Sequence, residues 1–186
     1  MTAKKTFEFK NGQHVVYPPQ GVGKLIKTEE ALIGGQKIKM LVISFERNSM
    51  TLRVPVDRVQ ISGLRPLVSQ RKIMEAINSA KDKATAKRMI WSRRAAVYEE
   101  NINSGDPMKI AEIIRDLQRR NSTDTMTFSG RQLYLRALER LAQEYAVINK
   151  IPLEAAEDKI EDILEIPKDL ELEAQVEENT EPEPNV

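Results

Sequence analysis

The chain has 186 residues, of which 40% are apolar and 31% are charged, a length that allows one large domain or two small ones. It contains no cysteine and one histidine, which excludes disulfide frameworks, thiolate nucleophiles and His-His metal pairs. No apolar run approaches the roughly 18 residues that cross a bilayer, and the N-terminal residues lack the apolar stretch of a secretion signal. These features predict a cytoplasmic protein with no membrane contact, no cofactor and no enzymatic activity.

Charge is unevenly distributed along the chain, although the total is only +1. Residues 1–68 carry 11 basic and 5 acidic side chains, residues 69–150 carry 16 and 10, and residues 151–186 carry 2 and 13. The three net charges are therefore +6, +6 and −11. This pattern favours a basic body that meets an anionic partner, with an acidic tail that is solvated or competes for the same surface.

Residues 7–63 have the pattern of β structure, because short segments rich in valine, isoleucine and leucine alternate with turn signals. The predicted strands are Gln13–Tyr17, Gly21–Lys27, Lys37–Phe45, Thr51–Pro55 and Val59–Ile61. Five short strands in so few residues fit a small barrel. Such a barrel limits exposed sheet edges, although a remaining edge can recruit a partner strand.

From Ser69 onward the hydrophobic period becomes that of helices. Capping signals predict helices over 70–80 after Ser69, 86–102 after Thr85, 107–121 after Asp106 and 130–149 after Ser129, and an acidic fifth helix after Pro152. Short helices with short connections indicate a compact bundle. Residues 165–186 hold eight acids, one lysine and three prolines, so the end of the chain is expected to be disordered.

The only tryptophan lies in a strongly basic stretch, since residues 71–94 hold eight lysines and arginines against two acids. On the predicted helix, one apolar stripe contains Ala86, Met89, Ile90 and Val97, and a second on nearly the opposite side contains Trp91, Ala95, Tyr98 and Ile102. Only one stripe needs to face the core. Two interpretations of Trp91 stay open: a buried core residue, or an exposed ring that wedges against bases while arginines neutralise phosphates.

Four segments of the chain together resemble the CarD/CdnL transcription regulators of bacteria. They are Gly12–Gly23, Leu52-Arg53-Val54-Pro55, Trp91-Ser92-Arg93-Arg94, and Ser104-Gly105-Asp106 followed by Ala111-Glu112 and Arg115-Asp116-Leu117. Each motif alone is weak, but four in the same order are strong, and the resemblance covers roughly residues 7–165. The acidic tail stands where the founding member has a long AT-hook tail, so the chain resembles the short, CdnL-type form.

The resemblance implies an α+β chain in three parts. A Tudor-like RNA polymerase-interaction domain would occupy residues 1–66, a helical DNA-interaction domain residues 67–165, and a disordered acidic tail residues 166–186. The first domain would dock on the β subunit of RNA polymerase. The second would contact promoter DNA at the upstream edge of the bubble and stabilise the open complex. The protein would act as a monomer. It would associate with the nucleoid through polymerase.

The resemblance also implies which residues make these contacts. Trp91 would be the minor-groove wedge, and Arg53 stands where the family uses an arginine against polymerase. The predicted DNA-binding residues are Trp91, Arg93, Arg94, Lys87, Arg88 and Arg131. The predicted polymerase-binding residues are Leu52, Arg53, Val54 and Pro55. Ala31 replaces a basic residue that some relatives carry before the Gly-Gly hairpin, so polymerase affinity would rest on other side chains.

Two other function classes stay open on the residues alone. A protein-only adaptor would use the basic helices to bind an acidic protein without DNA contact, and salt-dependent DNA binding would distinguish the two readings. A small enzyme would need a pocket lined by convergent carboxylates.

Overall fold

The computed structural model describes residues 9–47, 49–81, 89–120 and 127–164. Five antiparallel strands are followed by five helices, which confirms an α+β fold. The predicted disordered tail over 166–186 and the predicted cap Thr85 lie outside the described residues. Among the residues described, no helix is long and apolar enough to cross a bilayer.

The strands form one antiparallel sheet. They are β1 (His14–Tyr17), β2 (Gly21–Ile33), β3 (Gln36–Phe45), β4 (Met50–Pro55) and β5 (Arg65–Pro66), in the order β4-β3-β2-β1-β5. The β2–β3 hairpin turns at Gly34 and Gly35, which both have positive φ (59° and 79°), as a tight two-residue hairpin turn requires. A register shift between Leu25 and Lys27 marks a bulge, beyond which β2 continues to the turn.

The predicted strand Val59–Ile61 is wrong. A 3-10 turn over Val56–Arg58 follows β4, and the next residues remain in turns. Val59 is buried, but Ile61 is 84% exposed, so the apolar residues anchor a turn rather than alternate between two sheet faces. The fifth strand instead lies at Arg65–Pro66 and has only two residues, because proline cannot donate to a ladder and limits its length.

The helices are α1 (Gln70–Ser79), α2 (Trp91–Ser104), α3 (Pro107–Arg120), α4 (Phe128–Asn149) and α5 (Leu153–Leu164). The caps at α1 and α3 are confirmed, because the hydroxyl of Ser69 accepts from the backbone N–H of Lys72 and the carboxylate of Asp106 accepts from that of Met108. The acidic helix after Pro152 is also confirmed.

Two predicted helix starts are wrong. Residues 89–90 are not helical, so α2 begins at Trp91 with Ile90 as its N-cap. Helix α4 begins earlier than predicted, at Phe128, because the hydroxyl of Thr127 accepts from the backbone N–H of Gly130. The predicted cap, Ser129, lies inside the first turn of α4.

The apolar side chains form two buried clusters. One lies in the sheet and is built from Val15, Leu25, Leu41, Ile43, Phe45, Val54, Val59 and Leu64. The other draws on all five helices. Tyr98 and Ile102 of α2 are buried, whereas Val97 of α2 and its N-cap Ile90 are exposed. The predicted stripe that contains Trp91 therefore faces the core.

Helix α4 joins the helices to the sheet. The carboxylate of Glu144 in α4 binds the guanidinium of Arg65 in β5 through two bonds, of 2.7 and 2.8 Å. The same carboxylate accepts from the backbone N–H of Val68 at 2.7 Å. The preceding residue, Gln143, accepts from the backbone N–H of Val22, and Arg140, one turn earlier in α4, donates to the carbonyl of Pro19.

Candidate functional site

Trp91 is the first residue of α2, at one end of the helical bundle. Its ring is partly buried and packs against the helical core. The indole Nε1–H donates to the hydroxyl of Ser129 in the first turn of α4, at 3.2 Å. Trp91 is therefore neither fully buried nor fully exposed, because one part of the ring packs inward while another part stays accessible at the surface.

Arg94 lies one turn after Trp91 and stacks on its ring. The guanidinium carbon lies 5.0 Å from the centroid of the indole, within the range of a cation–π contact. The Nε atom of Arg94 is buried without a hydrogen-bond partner among the described residues. The sequence predicts Arg94 as a phosphate contact. In the structure its guanidinium stacks on the indole of Trp91.

The remaining predicted DNA-binding cations have different surroundings. Arg93 is exposed and lies in the first turn of α2. Arg131 lies in the first turn of α4 and is partly buried. Lys87 and Arg88 lie outside the described residues. The structure thus brings Trp91, Arg94 and Ser129 into contact, with Arg93 and Arg131 on the same two opening turns.

Two residues at this end of the bundle were missed by the sequence analysis, Ser129 and Phe128. The sequence predicts Ser129 as a helix cap, whereas in the structure its hydroxyl accepts the N–H of Trp91. Phe128 is 73% exposed and is the first residue of α4. Its position off the apolar stripe of α4 could have indicated that it is exposed, because a helix that buries one face leaves an aromatic residue on the other face in solvent.

The predicted polymerase-binding residues form a separate group on β4, at one end of the sheet order. Val54 is buried in the sheet core and Leu52 packs against it. Arg53 is exposed, as expected for the opposite face of a strand. In the described part of the chain, β4 pairs only with β3, so its outer backbone groups have no partner strand there.

Arg53 takes part in a small charge cluster on the sheet surface. Its Nε donates to one carboxylate oxygen of Glu29 at 2.8 Å, and the Nζ of Lys27 contacts the other at 2.8 Å. The hydrogen bond from Lys27, followed by that from Arg53, lowers the pKa of Glu29 below its ordinary value. The carboxylate therefore stays ionised and holds the guanidinium over the face of the sheet, since Glu29 lies on β2, two strands away from β4 in the sheet order.

A cleft lies between the sheet and helices α4 and α5. It measures about 290 Å³ and its lining includes His14, Lys24 and Arg47 but only one carboxylate, Glu46. It therefore does not supply the convergent carboxylates that a small enzyme would need. In the described ranges, no group of three or more His, Cys, Asp or Glu side chains could hold a metal ion.

Comparison with known proteins agrees with this arrangement. The family model described as "CarD-like/TRCF RID domain" matches residues 9–68, and the one described as "CarD, C-terminal domain" matches residues 72–161. The chain is also 25% identical over 143 residues to "Putative transcription factor YdeB" of Bacillus subtilis (strain 168), an alignment that covers 77% of this chain and 94% of that protein. The chain therefore belongs to the CarD/CdnL family, which is a family of transcription-associated factors and not a known family of enzymes.

Proposed function

We propose that the protein docks on the β subunit of RNA polymerase through its N-terminal sheet and stabilises the promoter open complex through its helices. The observation that carries the proposal is the setting of Trp91. Its ring is held from two sides, by the hydroxyl of Ser129 and by the guanidinium of Arg94, and is still partly accessible. A ring held in this way can contact DNA without first losing rotamer freedom.

The chemistry of this end of the bundle suits melted DNA. An aromatic ring that stacks on or wedges against a base contributes about 1–3 kcal/mol per base. Exposed arginines beside the ring can neutralise phosphates, which positions the protein without reading sequence. Arg93 is the exposed cation nearest to Trp91 in the chain.

No catalysis is needed for this function. A promoter opens when base pairs melt, and a protein that binds only the melted junction lowers the free energy of the open state by its differential affinity. The contact of one wedge with one unstacked base is worth only about 1–3 kcal/mol. A second contact to polymerase raises the effective concentration of the wedge at the junction.

The polymerase contact is assigned to β4. An added strand from the partner could pair with the outer edge of β4, since main-chain bonds supply affinity in such strand addition. Val54 faces the sheet core, so it would contribute through its backbone, whereas Arg53 would contact the partner with its side chain. In the free protein its guanidinium is paired with Glu29 of β2, so docking would exchange this ion pair for a contact with the partner.

We further infer a division into a polymerase-binding domain over 1–66 and a DNA-binding domain over 67–165. The separate apolar clusters of the sheet and the helices support it. Closure of the sheet into a Tudor-like barrel is part of the same proposal. It is favoured by the 3-10 turn of Val56–Arg58, which lies in the chain between the two end strands of the sheet.

The test is the lifetime of an open complex formed by bacterial RNA polymerase on one promoter. We expect the full-length protein to lengthen that lifetime, Trp91→Ala to abolish the effect and Trp91→Phe to retain part of it. Both variants should still co-purify with polymerase, because the docking strand is elsewhere. The proposal would be overturned by a folded Trp91→Ala protein that stabilises the open complex fully.

A further inference from the structure

Phe128 is an aromatic residue that the fold leaves in solvent. It is 73% exposed, although it opens the longest helix of the described chain. The buried residues of α4 start at Gly130 and continue through Leu133, Tyr134, Ala137 and Leu138. Phe128 therefore contributes little to the core, and its exposed surface needs another explanation.

The structure puts Phe128 beside the candidate DNA contact. Ser129, the next residue in the chain, accepts the indole N–H of Trp91, so the first turns of α2 and α4 touch. We call residues 90–94 and 127–131 the paired helix starts. Ile90, which precedes Trp91, is 80% exposed. Ile90, Trp91 and Phe128 thus all belong to the paired helix starts.

The paired helix starts depart from what helix stability favours. Ile90 occupies the N-cap of α2 without any side-chain capping bond, although isoleucine is among the poorest residues at that position. Neither α2 nor α4 has an acidic residue in its first turn. Arginines stand there instead, at Arg93, Arg94 and Arg131, where the positive end of the helix dipole disfavours cations.

These departures point to an anionic partner with flat apolar groups. A phosphate backbone would neutralise the arginines and interact favourably with both helix dipoles. Unpaired bases would cover the exposed aromatic surface, because every base offers a face for stacking. An acidic peptide would satisfy the arginines but would offer no comparable series of flat faces.

We propose that Phe128 is a second base-contacting residue, which stacks on an unpaired base adjacent to the step that Trp91 reaches. The inference rests on the proposed function, since it takes Trp91 to lie at a melted junction. It adds a second aromatic contact from a different helix. The two rings, tied together through Ser129, would hold two neighbouring positions of the opened strand.

The experiment uses the full-length protein and a forked DNA with an unpaired segment, beside a fully paired duplex of the same sequence. Phe128→Ala is compared with Phe128→Tyr and with Leu135→Ala. Leu135 is a matched control, because it is an exposed apolar residue of α4 (47% exposed) that lies about two turns further along the helix. All variants should keep the melting temperature of the natural protein, since both side chains lie largely outside the core.

We expect Phe128→Ala to weaken binding to the fork about fivefold or more and to shorten the open-complex lifetime, with little change for the paired duplex. Phe128→Tyr should restore binding, because it keeps the ring, and Leu135→Ala should bind as the natural protein does. If Phe128→Ala binds the fork normally while Trp91→Ala does not, this inference is overturned and the proposed function stands.

Two other outcomes would also overturn the inference. If neither Phe128→Ala nor Trp91→Ala changes fork binding or open-complex lifetime, the proposed function fails with it. If Phe128→Ala keeps fork binding but loses co-purification with polymerase, the exposed ring belongs to a protein interface instead.

Discussion

Arg65 and Glu144 form a two-bond ion pair that connects the sheet to the helical bundle. The Glu144 side chain is 4% exposed and that of Arg65 is 20% exposed. Arg65 also donates to the carbonyl of Gly105 at 2.6 Å, where α2 ends. One arginine thus links β5, the end of α2 and the middle of α4.

Removal of one partner should destabilise the whole protein. Arg65→Ala leaves the Glu144 carboxylate buried with only one backbone donor, and breaking such a pair lowers the free energy of unfolding by about 3–5 kcal/mol. Chemical denaturation measures the change. The matched control is Arg53→Ala, because the Arg53–Glu29 pair has nearly the same length but is exposed and should contribute little. Equal effects of the two substitutions would contradict this account.

Arg53→Glu should abolish co-purification with RNA polymerase and leave the fold intact. The new carboxylate would face Glu29 in place of the present ion pair, and it would reverse the charge on the proposed docking edge. Arg58→Glu is the control, since it makes the same charge change at an exposed residue of the neighbouring 3-10 turn. Persistent binding by Arg53→Glu would mean that the docking surface lies elsewhere.

The two arginines after Trp91 should have separable effects on DNA binding. Arg93→Ala removes an exposed cation, so the slope of log affinity against log salt concentration should fall by about one. Arg94→Ala removes the stack beneath the indole, so it should mainly shorten the open-complex lifetime. Titrations with duplex and forked DNA at several salt concentrations measure both. Absence of salt-dependent DNA binding would favour the protein-only adaptor.

Glu157→Gln should stabilise the protein at neutral pH and have no effect at acidic pH. Burial, followed by repulsion from Glu139, raises the pKa of Glu157 above its ordinary value. The folded protein therefore binds this proton more tightly than the unfolded chain, and the ionised carboxylate opposes folding once the pH exceeds both pKa values. Melting temperatures across this range test the prediction. Glu112→Gln, at an exposed residue of α3, is the control for the change of side chain.

The sequence was sufficient to predict most of the architecture, because the hydrophobic periods of strands and helices can be recognised in a single chain. The first four strands and the caps at Ser69 and Asp106 depend on local chemistry, and they are confirmed, although β2 continues six residues past its predicted end at Lys27. The starts of the helices were harder to predict. Thr127 and Ser129 are both good caps by composition, and the choice between them follows from a tertiary contact, since Ser129 bonds to Trp91.

The parts of the candidate site that depend on tertiary contacts could not be predicted. Nothing in the chain pattern connects Trp91 with α4, which begins 37 residues later, so the support of the ring by Ser129 had no sequence signal. Glu144 likewise has the appearance of a solvated helix position. Its burial follows from the approach of Arg65, and pairing is the condition under which a carboxylate is buried.

The position of Trp91 gives this protein a built-in optical reporter. It is the only tryptophan in 186 residues, and its indole lies partly accessible at the proposed DNA contact. Its fluorescence should therefore report on this one place, free of signals from other indoles. A base that stacks on the ring should quench the emission, whereas polymerase binding at β4 alone should not. The proposed DNA contact can thus be followed by itself, without any label, in titrations of the protein with forked DNA.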